Sequence, residues 1–124
     1  MKICITSSGN TEKSILDSRF GRCSYFFLVD LESGKQTLIP NESVISGGGA
    51  GISSGQLMVE KGVEAIITGN IGPNAMNVLK AAGINIYRGK NESVEDNIEY
   101  FKADKLEKIN ETVPSHFGMG NRGL

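Results

Sequence analysis

The sequence predicts an α/β domain in which a mixed β-sheet carries helices on its faces. Short runs rich in β-branched and aromatic residues alternate with segments whose apolar residues recur at helical spacing. Two of these runs, residues 25–30 and 36–40, flank a glycine-containing turn and predict an antiparallel hairpin. The later runs are separated by helical segments, which predicts parallel strands.

Five strands are predicted along the chain. The first covers residues 2–6, a β-branched run followed by a polar loop that continues to about Arg22. The hairpin supplies the second and third strands. Residues 65–68 are a compact apolar run bounded by glycine, as expected of a strand that is buried on both faces and parallel to the first. Residues 84–87 form the last strand.

Three helices are predicted. The first follows a glycine-rich segment and ends at Gly62, which suits a left-handed C-cap. The second begins near Pro73, where the missing N–H of proline does no harm, and Gly83 stops it. The third begins after Ser93, which stands in a capping-box arrangement with the residues that follow it.

The chain length indicates a single domain. Its 124 residues are enough to bury a core without disulfides or structural metal. We assign residues 1–104 to this domain. From residue 105 onward, Pro114, several glycines and few apolar residues indicate a mobile tail.

The charge and cysteine content exclude some classes of partner. The formal net charge is −1 with the signs mixed along the chain, so no basic stripe indicates nucleic-acid binding. No apolar run is long enough to span a bilayer, and the two cysteines, Cys4 and Cys23, form no close pair. We therefore expect a cytoplasmic protein in a reducing compartment, with neither nucleic acid nor membrane as a partner.

Two glycine-rich segments, residues 46–52 and 69–75, each open directly into a predicted helix. Right-handed crossovers place both at the carboxyl edge of the parallel strands, where α/β sheets usually bind ligands. The free N–H groups at a helix start attract anions, so the segments predict an anion-binding crevice. Ordinary strand-to-helix connections also use glycine, and a purely structural role is the alternative. The predicted contacts of the anion in these segments are Gly48, Gly49, Ala50, Gly51, Ile52, Gly72, Pro73, Asn74 and Ala75.

Four separate motifs, at residues 17–26, 48–52, 69–75 and 79–84, together resemble the dinitrogenase iron-molybdenum cofactor biosynthesis family. The resemblance extends over nearly the whole predicted domain. It implies a ribonuclease H-like, three-layer fold with a five-stranded mixed sheet and helices on both faces. It also implies a role in carrying or inserting iron-sulfur or molybdenum-containing clusters, as small stand-alone members of the family are expected to do.

The first motif departs from the family pattern at one position. The family often has a histidine directly before the Phe-Gly pair, whereas this chain has Arg19 before Phe20 and Gly21. A protonated arginine does not ligate metal, but its planar donors can hydrogen-bond an anionic cluster or an oxyanion. We expect residues Arg19, Phe20, Gly21 and Arg22 to contact such a ligand, with the two arginines balancing its charge. The alternative is that both arginines are solvent-facing loop residues.

Two residues are candidate metal ligands. Cys23 offers soft sulfur, which suits iron, copper and molybdenum-sulfide chemistry, and neighbouring Arg22 is expected to favour its thiolate. The alternative for Cys23 is a small buried side chain beside an aromatic strand. His116 is the only histidine and lies in the glycine-containing tail, where it either supplies an imidazole or has no function. Cys4 lies within the first strand and is expected to belong to the core.

The sequence gives no positive signal for catalysis, so the protein is expected not to be an enzyme. The first strand carries no carboxylate of the kind that metal-dependent nucleases use, and no catalytic residue is assigned. The glycine segment lacks the Gly-Lys-Ser/Thr ending of a nucleotide-hydrolase loop.

The predicted function is non-catalytic binding and delivery of an anionic iron-sulfur or molybdenum-containing metal-sulfur cluster. The expected partners are a cluster donor or acceptor protein, together with a second copy of the chain in a homodimer. One alternative is a metal-independent binding module for a phosphorylated metabolite or nucleotide in the same crevice. Another is an interaction domain that uses the edge of the hairpin.

Overall fold

The computed structural model describes residues 1–42 and 49–110, which contain six strands and three helices. The strands are β1 (Lys2–Ser7), β2 (Tyr25–Asp30), β3 (Gln36–Pro40), β4 (Ala65–Thr68), β5 (Asn85–Arg88) and β6 (Glu107–Lys108). The helices are α1 (Ala50–Glu60), α2 (Pro73–Ala81) and α3 (Val94–Lys102).

The strands form one mixed sheet with the order β3-β2-β1-β4-β5-β6. β1, β4 and β5 are parallel to one another, whereas β2 runs antiparallel to β1 and β3 antiparallel to β2. β6 runs antiparallel to β5. The predicted hairpin and the predicted parallel pairing of β4 with β1 are confirmed.

Side chains on the two faces of the sheet build two separate cores, because successive residues of a strand point to opposite faces. Cys4 faces one core, where Met58 of α1 and Leu79 of α2 pack against the sheet. Ile3 faces the other core, where Val94 of α3 packs. α1 and α2 therefore cover one face of the sheet and α3 covers the opposite face, which gives three layers.

The sheet has one strand more than the five that the sequence predicted. β6 consists of two exposed, charged residues, so it shows no periodic pattern that sequence reasoning could use. It is held by its neighbours: Leu106 and Ile109 are buried in opposite cores, and the Ile109 N–H donates to the Ile86 carbonyl at 2.8 Å. These residues lie in the segment that was assigned to the tail. The ribonuclease H-like name for the fold stays a prediction.

The helix ends follow the residues that predicted them. Gly62 and Gly83 have φ angles of 73° and 75°, in the left-handed region that glycine adopts most readily. Pro73 is the first residue of α2, and the Ser93 hydroxyl accepts a hydrogen bond from the Asp96 N–H at 3.1 Å. The helices contain 11, 9 and 9 residues, and none of those described is long and apolar enough to cross a membrane.

We expect the Ile109→Ala substitution to destabilise the domain, because Ile109 is only 5 % exposed and packs in the core on the α1–α2 face. Truncating a buried isoleucine to alanine costs about 2–5 kcal/mol of unfolding free energy. Asn110→Ala, at the next and exposed position, is the matched control. Urea unfolding of both variants is the measurement, and equal stability of the two would contradict a core that includes the β6 region.

Candidate functional site

Residues 17–23, which we call the crossing loop, pass over the carboxyl ends of β1 and β4. The loop is tied to β1 because the Asp17 N–H donates to the Thr6 carbonyl at 2.9 Å and the Thr6 hydroxyl donates to the Asp17 carbonyl at 2.6 Å. It is tied to the chain after β4 because the Asn70 N–H donates to the Ser18 carbonyl at 2.6 Å. The loop therefore lies at the edge of the sheet where the sequence predicted a ligand site.

Three backbone segments meet at small residues beside the crossing loop. Gly21 has a φ of 92°, and a Cβ added to it would lie 3.1 Å from the Gly51 Cα atom. A Cβ added to Gly51 would in turn lie 3.3 Å from the Ala75 Cβ atom. The crossing loop, the first turn of α1 and the first turn of α2 are thus in direct contact. The structure brings together the three segments from which the sequence drew its predicted anion contacts.

The first turns of α1 and α2 lack the protection that α3 has. Gly49 and Gly72 are the N-cap residues of α1 and α2, neither helix has a side-chain cap, and neither has an acidic residue in its first turn. α3 is capped by the Ser93 hydroxyl, and the carbonyls of Glu12 and Ser14 accept hydrogen bonds from its first N–H groups. Among the three described helices, only the two that meet at Gly51 and Ala75 therefore begin with a positive dipole end that no side chain caps.

The predicted contact residues differ in their exposure. Those that face solvent are Arg19, Arg22, Gly49, Ile52, Pro73 and Asn74, and the half-buried ones are Gly51 and Gly72. Those that are buried are Phe20, Gly21, Cys23, Ala50 and Ala75. Gly48 and His116 lie outside the described residues. The buried members shape the site, while the exposed members are the ones that a ligand can reach.

Arg19 forms a two-point ion pair with Asp17. Its Nε and Nη2 atoms lie 3.1 Å from Asp17 Oδ1 and Oδ2, and the Arg19 N–H also donates to Oδ1 at 3.1 Å. The hydrogen bonds and charge of Asp17 raise the pKa of Arg19 above its ordinary value. The Asp17 side chain is 8 % exposed and that of Arg19 is 62 % exposed, so the carboxylate holds the arginine at the surface of the site. One edge of the guanidinium is occupied, and its remaining N–H donors are available to an anion.

The Cys23 thiol is not activated in the way that the sequence predicted. Cys23 is fully buried, and this burial, followed by the charge of Asp17, raises its pKa to about 12. The expected lowering by Arg22 does not occur, because the Arg22 side chain faces solvent while Cys23 lies in the core. Cys4 is buried in the same core, as predicted. A buried, protonated thiol is a poor metal ligand.

Two residues that sequence reasoning did not assign to the site hold the crossing loop in place. The Asn41 side-chain amide donates to the carbonyls of Gly21 and Cys23 at 3.0 and 2.9 Å. Asp17 orients Arg19 as described. Asp17 could have been found from its spacing, because an aspartate two residues before a donor often closes a local turn. Asn41 is 18 residues from Cys23, and no local pattern connects them.

The described residues contain no group of three or more His, Cys, Asp and Glu side chains that could hold a metal ion. The crossing-loop side chains that reach the surface include those of Ser18, Arg19 and Arg22, and the first turns of α1 and α2 lie beside them without side-chain caps. Arginine side chains and helix N-termini recognise anions through hydrogen bonds and positive charge. The arrangement is suited to holding a negatively charged ligand through hydrogen bonds and charge.

Comparison with known proteins assigns the chain to a family. The model of the family described as dinitrogenase iron-molybdenum cofactor matches residues 1–104. An uncharacterised protein from Methanocaldococcus jannaschii is 37 % identical over 112 residues, which cover 88 % of this chain and 92 % of that protein.

Solved structures show the same fold. The apo form of the orange protein from Desulfovibrio gigas aligns with a TM-score of 0.82 at 28 % identity, over 88 % of this chain and 92 % of its own. A Thermotoga protein named as a NifB protein aligns with a TM-score of 0.82 at 34 % identity, over 92 % and 97 % of the two chains. A Methanocaldococcus jannaschii protein named as a dinitrogenase aligns with a TM-score of 0.64 at 28 % identity, over 90 % and 96 %.

We expect Gly69→Ala to destabilise the protein, because the added Cβ would lie 2.6 Å from the Ser18 Cβ and 2.8 Å from the Ser18 carbonyl oxygen. Forcing the two loops apart costs about 1–3 kcal/mol of unfolding free energy. Gly72→Ala is the matched control, because its φ is −83° and no atom lies within 4 Å of the added Cβ. Its effect should stay within about 0.5 kcal/mol in urea unfolding. A Gly69→Ala protein as stable as the control would contradict the close crossing of the loops.

We expect native Cys23 to resist alkylation. At pH 8 a thiol with a pKa of about 12 has roughly a thousandfold less thiolate than an ordinary cysteine, and its burial also blocks the reagent. Maleimide labelling followed by peptide mass spectrometry reports Cys23 and Cys4 separately. Labelling in guanidinium, where both cysteines should react at once, is the control. Rapid labelling of Cys23 in the folded protein would show that the thiol is accessible and ionised.

Proposed function

Because the chain belongs to the dinitrogenase iron-molybdenum cofactor family, we propose that it binds an anionic iron-sulfur or molybdenum-containing metal-sulfur cluster and delivers it without catalysing a reaction. The observation that carries the proposal is the contact between the first turns of α1 and α2 at Gly51 and Ala75. It places two helix N-termini without side-chain caps beside the crossing loop. The cluster is the cargo, exchanged in the cytoplasm with a donor or acceptor protein.

The cluster is held by hydrogen bonds and charge in this proposal. Backbone N–H groups of the first turns of α1 and α2 donate to its sulfur or oxygen atoms, and the free donors of Arg19 oppose its negative charge. A hydrogen bond to a charged group contributes about 1.5–3 kcal/mol. A few such contacts at an exposed site give reversible binding, which suits transfer better than permanent storage.

Direct ligation by Cys23 is not part of the proposal. The thiol is fully buried and its pKa is raised to about 12, so ionising it and turning it outward would both oppose binding. His116 and Gly48 lie outside the described residues, and their predicted contacts stay predictions. The proposed site therefore consists of the α1 and α2 first turns and of the exposed Arg19 and Arg22, with Phe20 and Gly21 between the two arginines and Asp17 as the residue that positions Arg19.

The names of the relatives support a link to metal-sulfur chemistry. Two of the similar structures are named as a NifB protein and a dinitrogenase, and both align over at least 90 % of this chain. These names describe those proteins, and we extend the link to this chain as part of the proposal. A metal-independent module for a phosphorylated metabolite or nucleotide would use the same N–H donors, but no observation favours it.

The experiment is an anaerobic titration with tetrathiomolybdate and with a reconstituted iron-sulfur cluster, followed by visible circular dichroism and by metal retained after desalting. Arg19→Gln should weaken binding about 10- to 100-fold, because it removes one charged hydrogen-bonding group. Lys105→Gln is the matched control, because Lys105 is exposed and lies away from the site. It follows the C-terminus of α3, whereas the N-terminus of α3 is the end at the edge of the sheet that carries the candidate site. Cys23→Ser should leave the affinity unchanged.

Other outcomes separate the possibilities. Equal weakening by Arg19→Gln and Lys105→Gln would show that only overall charge matters and would remove the site from the proposal. Loss of binding in a Cys23→Ser protein whose unfolding temperature matches that of the wild type would identify a thiolate anchor instead. Retention of no metal under any condition, together with saturable binding of inorganic phosphate or a nucleotide, would replace the cluster carrier by the metabolite-binding module. Arg19→Gln leaves the buried Asp17 carboxylate without its ion-pair partner. The double variant Asp17→Asn/Arg19→Gln removes that charge as well and so separates this effect from the loss of the arginine.

A further inference from the structure

The two edges of the sheet differ in how they are protected. β6, at one edge, has two residues, and both are charged. β3, at the other edge, has five residues, Gln36–Pro40, and none is charged. Edge strands usually carry charges or are short, which prevents pairing with other chains. Proline also protects edges, but β3 has it only at its last residue, Pro40. No other described strand pairs with the outer side of β3, and Leu38 on it is 36 % exposed.

The main-chain groups that β3 presents outward follow from its pairing with β2. The Lys35 carbonyl accepts from the Asp30 N–H at 2.9 Å, and the Asn41 N–H donates to the Ser24 carbonyl at 3.0 Å. Hydrogen bonding alternates along an antiparallel strand, so the odd-numbered residues of β3 bond to β2. The even-numbered residues point outward: Gln36 and Leu38 offer an N–H and a carbonyl, and Pro40 offers a carbonyl only.

This outward pattern is complementary to itself. In the antiparallel register that overlaps the whole strand, Leu38 lies opposite Leu38 of a second copy, and Gln36 lies opposite Pro40 of that copy. Each Leu38 N–H then meets a Leu38 carbonyl, and each Gln36 N–H meets a Pro40 carbonyl. Every outward N–H of the strand therefore gains an acceptor. Because Pro40 has no N–H, the Gln36 carbonyl opposite it gains no donor from the partner strand and stays accessible to solvent.

The charges that flank β3 favour the same orientation. Lys35 precedes the strand, and Glu42 follows it two residues after Pro40. Antiparallel pairing places the Lys35 end of one strand beside the Glu42 end of the other, at both ends of the interface. Parallel pairing would place like charges together. The exposed Leu38 side chains meet at the two-fold axis, where each covers the other.

We propose that β3 pairs with β3 of a second copy of this chain to form a two-fold symmetric dimer with a continuous sheet. The interface consists of four main-chain hydrogen bonds and one apolar pair, so it belongs to the weak class and depends on concentration. The proposal does not rest on cluster binding, because β3 is separated from β4 by two strands in the sheet.

The test is sedimentation equilibrium from micromolar to millimolar concentration. The wild-type protein should approach twice the monomer mass at the upper end. Leu38→Lys and Leu38→Glu should each weaken the dimer at least about tenfold, because like charges then meet on the axis. An equimolar mixture of the two variants should recover a heterodimer, because opposite charges then face each other.

Gln56→Lys is the matched control, because it adds the same charge at an exposed position of α1 and should leave the dimer unchanged. Thermal unfolding checks that the Leu38 variants stay folded, which the exposed position predicts. A wild-type protein that stays monomeric at millimolar concentration would overturn the proposal. So would equal loss of dimer in Leu38→Lys and Gln56→Lys, or a mixture of the Leu38 variants that does not associate.

Discussion

The candidate site depends on the close approach of three backbones at Gly21, Gly51 and Ala75. A side chain larger than alanine at the centre of this contact would push α1 away from α2, and the two helix N-termini would no longer share one site. The crossing loop is fixed in turn by the Thr6 hydrogen bonds at the end of β1 and by the pairing with Asn70 after β4. Small residues and strand ends, more than charged side chains, therefore determine the geometry of the site.

The helices on the two faces of the sheet differ in how their N-termini are capped. α3 satisfies its first turn with Ser93 and with the carbonyls of Glu12 and Ser14, on the face opposite α1 and α2. α1 and α2 begin without side-chain caps and obtain their stability from apolar residues such as Met58 and Leu79, which are fully buried. Unsatisfied N–H groups cost little while water reaches them, so the fold keeps donors available to a ligand.

Much of the fold could be predicted because local signals were sufficient. The turn between β2 and β3 and the proline and glycine that bound α2 each act within a few residues. β6 could not be predicted, because its two charged residues are held by the burial of Leu106 and Ile109 on either side. The candidate site was likewise predictable where local signals act and unpredictable where distant contacts decide. The glycine segments marked the helix starts, but the burial of Cys23 depends on the whole core and reversed the expected direction of its pKa.

The charge of the site sets how tightly it can hold a ligand. Asp17 neutralises much of the Arg19 charge, so an approaching anion meets helix dipoles and a partly compensated guanidinium instead of a free cation. Each helix end contributes only about 0.3–1 kcal/mol at an exposed position. The sum favours binding that is selective for negative charge yet easily reversed. The proposed exchange of a cluster needs this intermediate strength, because a stronger site would keep its cargo.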